Sequence, residues 1–166
     1  MAENRFNFAQ IEQELEMIIE RFAENQNLLK LLYYNDKDAL EKEDITDEKI
    51  LNEILRQNIK IIPEVKIPER QNSFIIITFD SYEKNYSNPE FIDNTIYIDV
   101  LCPLDEDILR MNKYMLRPQL IMSEIQKEIA ESRLTGIGKV EFYSALALNL
   151  GTYWGYRMNY SVINNG

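Results

Sequence analysis

The sequence predicts an α+β fold, a mainly antiparallel sheet of about four strands with helices packed on one face. Three observations carry that prediction. The first third repeats its apolar residues every three or four positions, the spacing of a helix that buries one stripe. Near residue 74 the pattern switches to β-branched runs and alternation. One helical stretch then divides the strands into two pairs, and runs of strands with a single intervening helix favour α+β layers. The chain reads as one domain, 1–166, with a helical N-terminal region (1–57) and a sheet with one central helix (58–166).

Residues 6–24 form an amphipathic helix in this reading. Phe8, Ile11, Leu15, Ile18 and Phe22 share a face, and Glu12, Glu14, Glu16 and Glu20 fall largely elsewhere. "NQNLLKLLYY" begins a second helix through Leu28, Leu31 and Leu32, and "DKDALEKEDITDEK" is polar and loop-like. Thr46 makes an N-cap for a short helix through Arg56, whose apolar face is Ile50, Leu51, Ile54 and Leu55.

"FIIITF" (74–79) is β-branched and nearly all apolar, which fits a strand buried on both faces. "NTIYIDVLC" (94–102) alternates, with Ile96, Ile98 and Val100 on one side and Tyr97, Asp99 and Leu101 on the other. The segment between them is too long for a tight hairpin turn. "NIKIIPEVKI" (58–67) adds an edge strand, because Pro63 and Pro68 confine it to an edge. Pro118 suits the first turn of a helix that repeats Ile121, Ile125 and Ile129. "KVEFYSAL" and "YWGYRMNYSVI" supply the last strands. In the second of these, Trp154, Tyr156, Met158, Tyr160 and Val162 take one face, and Tyr153, Arg157, Asn159 and Ser161 the other.

Little of the chain carries recognisable chemistry. "SRLTGIGKVEF" (132–142) holds the one glycine-rich loop, but a phosphate loop with Lys139 in its lysine position needs glycine at 133 and Ser or Thr at 140. Arg133 and Val140 stand there instead. A helix precedes this loop and a strand follows it, so the negative end of the helix dipole faces it. Gly136 and Gly138 are therefore read as the turn from helix to strand. The chain has no histidine, and Cys102 is its single cysteine, which leaves no internal disulfide and predicts a reducing cytosolic setting. "DED" (105–107) reads as an acidic cap on a helical turn with Asp105 at the N-cap. A metal-dependent nuclease built on Asp44, Asp47, Glu64 and Lys66 is an alternative of another class. No cofactor or metal ligand is predicted, and the chain is expected not to be an enzyme.

The net charge of −10 argues against non-specific duplex binding, which needs clustered Lys and Arg. The charge is uneven: residues 1–107 carry 24 acidic and 11 basic side chains, residues 108–166 carry 4 and 7. A protomer of that polarity suits head-to-tail contact with copies of itself. No apolar run reaches the roughly 20 residues of a membrane helix. Ten tyrosines add interface character, because tyrosine offers a large contact area with a polar handle. Tyr82, Tyr86, Phe91, Tyr153 and Arg157 are the candidate interface residues.

The layout of an N-terminal helix, a strand, a long segment, "NPEFIDNTIYIDVLCP", "LRPQLIMSEIQKEI", "LTGIGKVEF" and a terminal aromatic strand "GYRMNYSV" resembles small tail-terminator and tail-completion proteins of tailed bacteriophages. The resemblance covers roughly residues 70–163. It implies a structural virion protein without catalysis. Such a protein assembles as a ring, commonly a hexamer, that caps the tail tube and joins it to the head connector. Its partners would be its own copies, the tail-tube protein and the connector or neck proteins. DNA would pass through the lumen without sequence-specific contact, and no membrane is involved. The protein would be made in the host cytoplasm and reside in the tail or neck of the virion. A related neck or head–tail adaptor role is the alternative within this resemblance. The 80–94 segment would be an arm or interface loop, and helix 118–132 would pack on the sheet.

Overall fold

The computed structural model describes residues 9–62, 72–84, 92–130 and 139–163. Helix α1 spans Ala9–Glu24 and α2 Gln26–Tyr33. Asn25 separates them because its side chain accepts from the Leu28 amide at 2.9 Å, an N-cap that starts a new helix at once. Its amide nitrogen reaches Glu124 and Glu128 at 3.2 and 2.8 Å, so the same residue ties this corner to the central helix.

A 3₁₀ turn, Ala39–Glu41, leads to a helical stretch built of α3 (Asp47–Lys49), a π turn (Ile50–Ile54) and α4 (Leu55–Gln57). Thr46 caps it as the sequence predicts, accepting from the Lys49 amide. The apolar face differs from the expected one. Ile50 and Ile54 are buried, but the wider π turn leaves Leu51 63% exposed.

The sheet contains β1 (Ile59–Lys60), β2 (Phe74–Lys84), β3 (Ile92–Pro103), β4 (Lys139–Asn149) and β5 (Tyr153–Ile163). Their order is β1-β2-β3-β5-β4, antiparallel except for β1, which runs parallel to β2. The α+β class is thus as the sequence predicts; of the edge strand expected over 58–67, Ile59–Lys60 forms β1, and residues 63–67 lie outside the described residues.

The segment 80–94 is not a free arm along its described length. Residues 80–84 and 92–94 extend β2 and β3 into one long antiparallel hairpin, with Ser81 opposite Thr95 and Glu83 opposite Asp93. A β-bulge between Phe79 and Ser81 absorbs the break in alternation, so polar residues continue a ladder that apolar ones began. A matching bulge lies between Phe142 and Ser144 of β4.

Helix α6, Arg117–Ala130, crosses one face of the sheet, with Pro118 in its first turn. Ile121, Ile125 and Ile129 point into the core with Ile18, Phe22 and the leucines of α2, against Ile75, Ile77, Ile96, Ile98, Val100, Met158, Tyr160 and Val162. Alternation therefore selects the helix-facing side of each strand as predicted. Glu14 is an exception on α1, because it lies on the buried side at 6% exposure. The opposite sheet face holds a small cluster of Phe74, Ile76, Leu101 and Tyr153.

Gly155 is fixed by close approach. A Cβ there would stand 1.7 Å from the Val100 carbonyl oxygen on β3, so no larger residue fits that crossing of β5. Gly151, at φ +81°, makes the β4–β5 turn, a conformation that side-chain-bearing residues rarely adopt.

Candidate interaction surface

Asp105, Glu106 and the thiol of Cys102 are committed to structural contacts. Asp105 caps the short helix α5 (Glu106–Leu109), accepting from the Asp107 amide at 2.8 Å, and Glu106 pairs with Arg110 at 3.2 Å. The predicted acidic cap is what the structure contains. Cys102 is fully buried on the helix-facing side of β3, and burial pushes its thiol up to about 12. Among the described residues, no three His, Cys, Asp or Glu side chains gather in a metal-binding group. Glu64 and Lys66 lie outside the described residues, as do Gly136 and Gly138 of the proposed helix-to-strand turn.

The five predicted interface residues do not form one patch in the described part of the molecule. Tyr86 and Phe91 lie outside it. Tyr82 is placed by its backbone in β2, opposite Asn94. Tyr153 is only 3% exposed, and its ring meets Phe74 edge-on at 5.1 Å, so it is interior to the protomer. Alternation put it on the correct face; the cluster on that face buries it.

Arg157 stays at the surface of the same face. Its Nε donates to Asp99 Oδ1 at 2.7 Å and its Nη2 to Asp99 Oδ2 at 2.8 Å, a bidentate pair across β3 and β5. The guanidinium also lies 4.9 Å from the Tyr97 ring centroid. Both interactions hold the side chain flat against the sheet.

A group of exposed apolar residues lies elsewhere, on β4 and the turn that follows. Phe142, Tyr143, Leu146 and Leu150 are 46%, 75%, 63% and 54% exposed. Phe142 lies edge-on to Tyr160 at 5.7 Å, which leaves part of its ring open at the sheet margin. Tyr143 occupies the bulge, which turns it out of the ladder. The residues themselves were visible in "KVEFYSALALNL". What sequence did not reveal is that β5 inserts between β3 and β4, which leaves β4 outermost.

Together the fold and this surface define an α+β protein with helices on one sheet face and a group of exposed apolar side chains at one sheet edge. A model of the YomW family matches residues 25–162, from the cap of α2 to the end of β5. The chain belongs to the YomW family, a phage-derived family of the SPP1/Bacillus prophage type, and the match points to a phage protein. A search of curated proteins finds no match.

Proposed function

We propose that this chain is a structural virion protein that caps the tail tube as a ring of its own copies and joins it to the head connector. The observation that carries the reading is the match to a phage-derived family over most of the chain, beside the tail-completion layout of its sequence. Two structural features support it. A polypeptide that works by assembly needs surfaces that other chains can cover, and the β4 margin offers exposed aromatic and aliphatic side chains. Asp105, Glu106 and the single thiol are held in a cap, an ion pair and the core, which suits a structural part.

Deleting the gene from its phage tests the proposal by electron microscopy of lysates. A tail terminator is expected to leave tails of uncontrolled length beside full, unattached heads. Tails of normal length beside unattached heads would favour the neck or adaptor reading. Normal infectious particles would overturn both.

A further inference from the structure

Natural sheets protect their edges by keeping edge strands short, charged or interrupted by proline. β4 does none of these over most of its length. It is eleven residues long, β5 pairs with its inner side, and no described strand pairs with its outer side. Its charges, Lys139 and Glu141, sit at one end and pair with each other at 2.7 Å. From Tyr143 to Leu150, "YSALALNL" carries no charge and no proline. Tyr143, Leu146 and Leu150 there, with the neighbouring Phe142, leave a few hundred Å² of apolar surface, given roughly 150–250 Å² per aromatic residue.

The other edge of the sheet is also partly open. β1 pairs with β2 only at Ile75 and Ile76, and no described strand lies beyond it along Ile77–Lys84. Strand direction makes the two edges compatible. Successive antiparallel pairs from β2 through β3 and β5 to β4 leave β4 running opposite to β2. A neighbour in the same orientation therefore offers β4 to β2 as an antiparallel partner. In that pairing Tyr143–Leu150 of β4 runs along Ile77–Lys84 of β2, with Ala147 opposite the exposed Asp80, and Lys139 extends past the end of β2.

We infer that the chain binds a second copy of itself by adding the β4 edge of one protomer, antiparallel, to the outer edge of β2 in the next. The sheet then continues from copy to copy through main-chain hydrogen bonds, with Tyr143 and Leu146 packing on the neighbour. Charge selects the occupant. The β4–β5 hairpin carries Lys139 and Arg157 against Glu141, whereas residues 1–107, which contain β2, hold 24 of the 28 acidic side chains. One copy thus offers a nearly neutral margin to the strand that carries Asp80, Glu83 and Lys84 in the next. The head-to-tail sense rests on the ring proposed above.

Two measurements on the full chain test this. Light scattering gives the assembly state of the wild type and of a Tyr143→Lys/Leu146→Lys variant, with circular dichroism and thermal unfolding to verify folding. The variant is expected to raise the concentration for half-assembly by more than about tenfold, the effect of losing a central interface contact. Disulfide trapping supplies geometry. Ala147→Cys and Asp80→Cys chains, mixed and oxidised, are expected to form the mixed dimer, since native Cys102 is fully buried. An Ala147→Cys chain that links efficiently to itself would replace head-to-tail addition with two-fold pairing and overturn the inference. Assembly that survives both lysines with no mixed disulfide overturns it too, while the ring stands on another surface. A wild type that stays monomeric at millimolar concentration also overturns it, and the ring is then decided by the deletion phage.

Discussion

Glu14 and Asn94 show how one buried pair can tie stability to pH. The Asn94 side chain hydrogen-bonds Glu14, yet Glu14 Oε2 and Asn94 Oδ1 are both buried without a partner. Two acceptors lack a donor, and a proton on Glu14 supplies it. Burial accordingly raises the Glu14 carboxyl from 4.5 to about 7. The folded chain then binds a proton that the unfolded chain has released, so stability falls as pH rises from about 4.5 through about 7. Glu14→Gln carries a permanent amide donor. It is expected to match the wild type near pH 5 and to exceed it by about 1–3 kcal/mol at pH 8. Urea unfolding at the two pH values checks this, and a variant equally or less stable at pH 8 would refute the account.

Arg117 is fully buried and donates to four main-chain carbonyls. Nε reaches Ile108 at 2.9 Å, Nη1 reaches Leu31 and Tyr34 at 2.8 and 2.7 Å, and Nη2 reaches Asp36 at 2.8 Å. Leu31 lies in the last turn of α2, whose carbonyls have no intrahelical donor. One guanidinium thus joins the end of α2, the following loop, α5 and the start of α6. Arg117→Met strands these acceptors and is expected to cost about 3–5 kcal/mol by denaturant unfolding. Arg117→Lys should recover little, because one ammonium cannot span four divergent carbonyls.

At the scale of elements, the chain is legible where the signal is local. Thr46, Pro118 and Asp105 each satisfy or lack a particular amide, and each sits where the sequence places it. The β-branched runs and alternation identify the strands and their core faces. Positions set by distant neighbours are not legible in this way. Tyr153 looks presentable until Phe74 and Leu101 are seen beside it, and Glu14 looks solvated until α1 lies over Asn94. The exposed margin of β4 depends wholly on strand order, a non-local property. Gly155 reads in sequence as a weak point in an aromatic strand, although contact with β3 dictates it. Gly155→Ala is expected to separate β5 from β3, cost at least about 2 kcal/mol and lower the midpoint of thermal unfolding by several degrees. An unchanged midpoint would mean the strands part without cost.

For the whole molecule, charge distribution matters more than net charge. Glu12, Glu16 and Glu20 are exposed on α1, while the hairpin of β4 and β5 is close to neutral. A protein with this acidic surface should slide past DNA rather than hold it. No retention of duplex DNA is expected in a mobility-shift assay at about 0.1 M salt, since each phosphate contact needs a cation to replace counterions. Binding tighter than about 10 μM would contradict the expectation and reopen a role on nucleic acid.

The paired bulges have one more consequence. Phe79 of β2, Ile96, Tyr160 and Phe142 of β4 form a single row across the sheet, and each outer strand takes its extra residue next to that row. Two kinks on one line act as a crease. Beyond it Val140 and Val162 stay in the core and Asn94 stays buried against Glu14, so the bent strands remain under the helices. The angle of that fold is set by two single residues, Asp80 and Tyr143. Removing either would flatten one side and turn the strand beyond it inside out, so the curvature of any larger object made from these sheets is written into one amino acid at each margin.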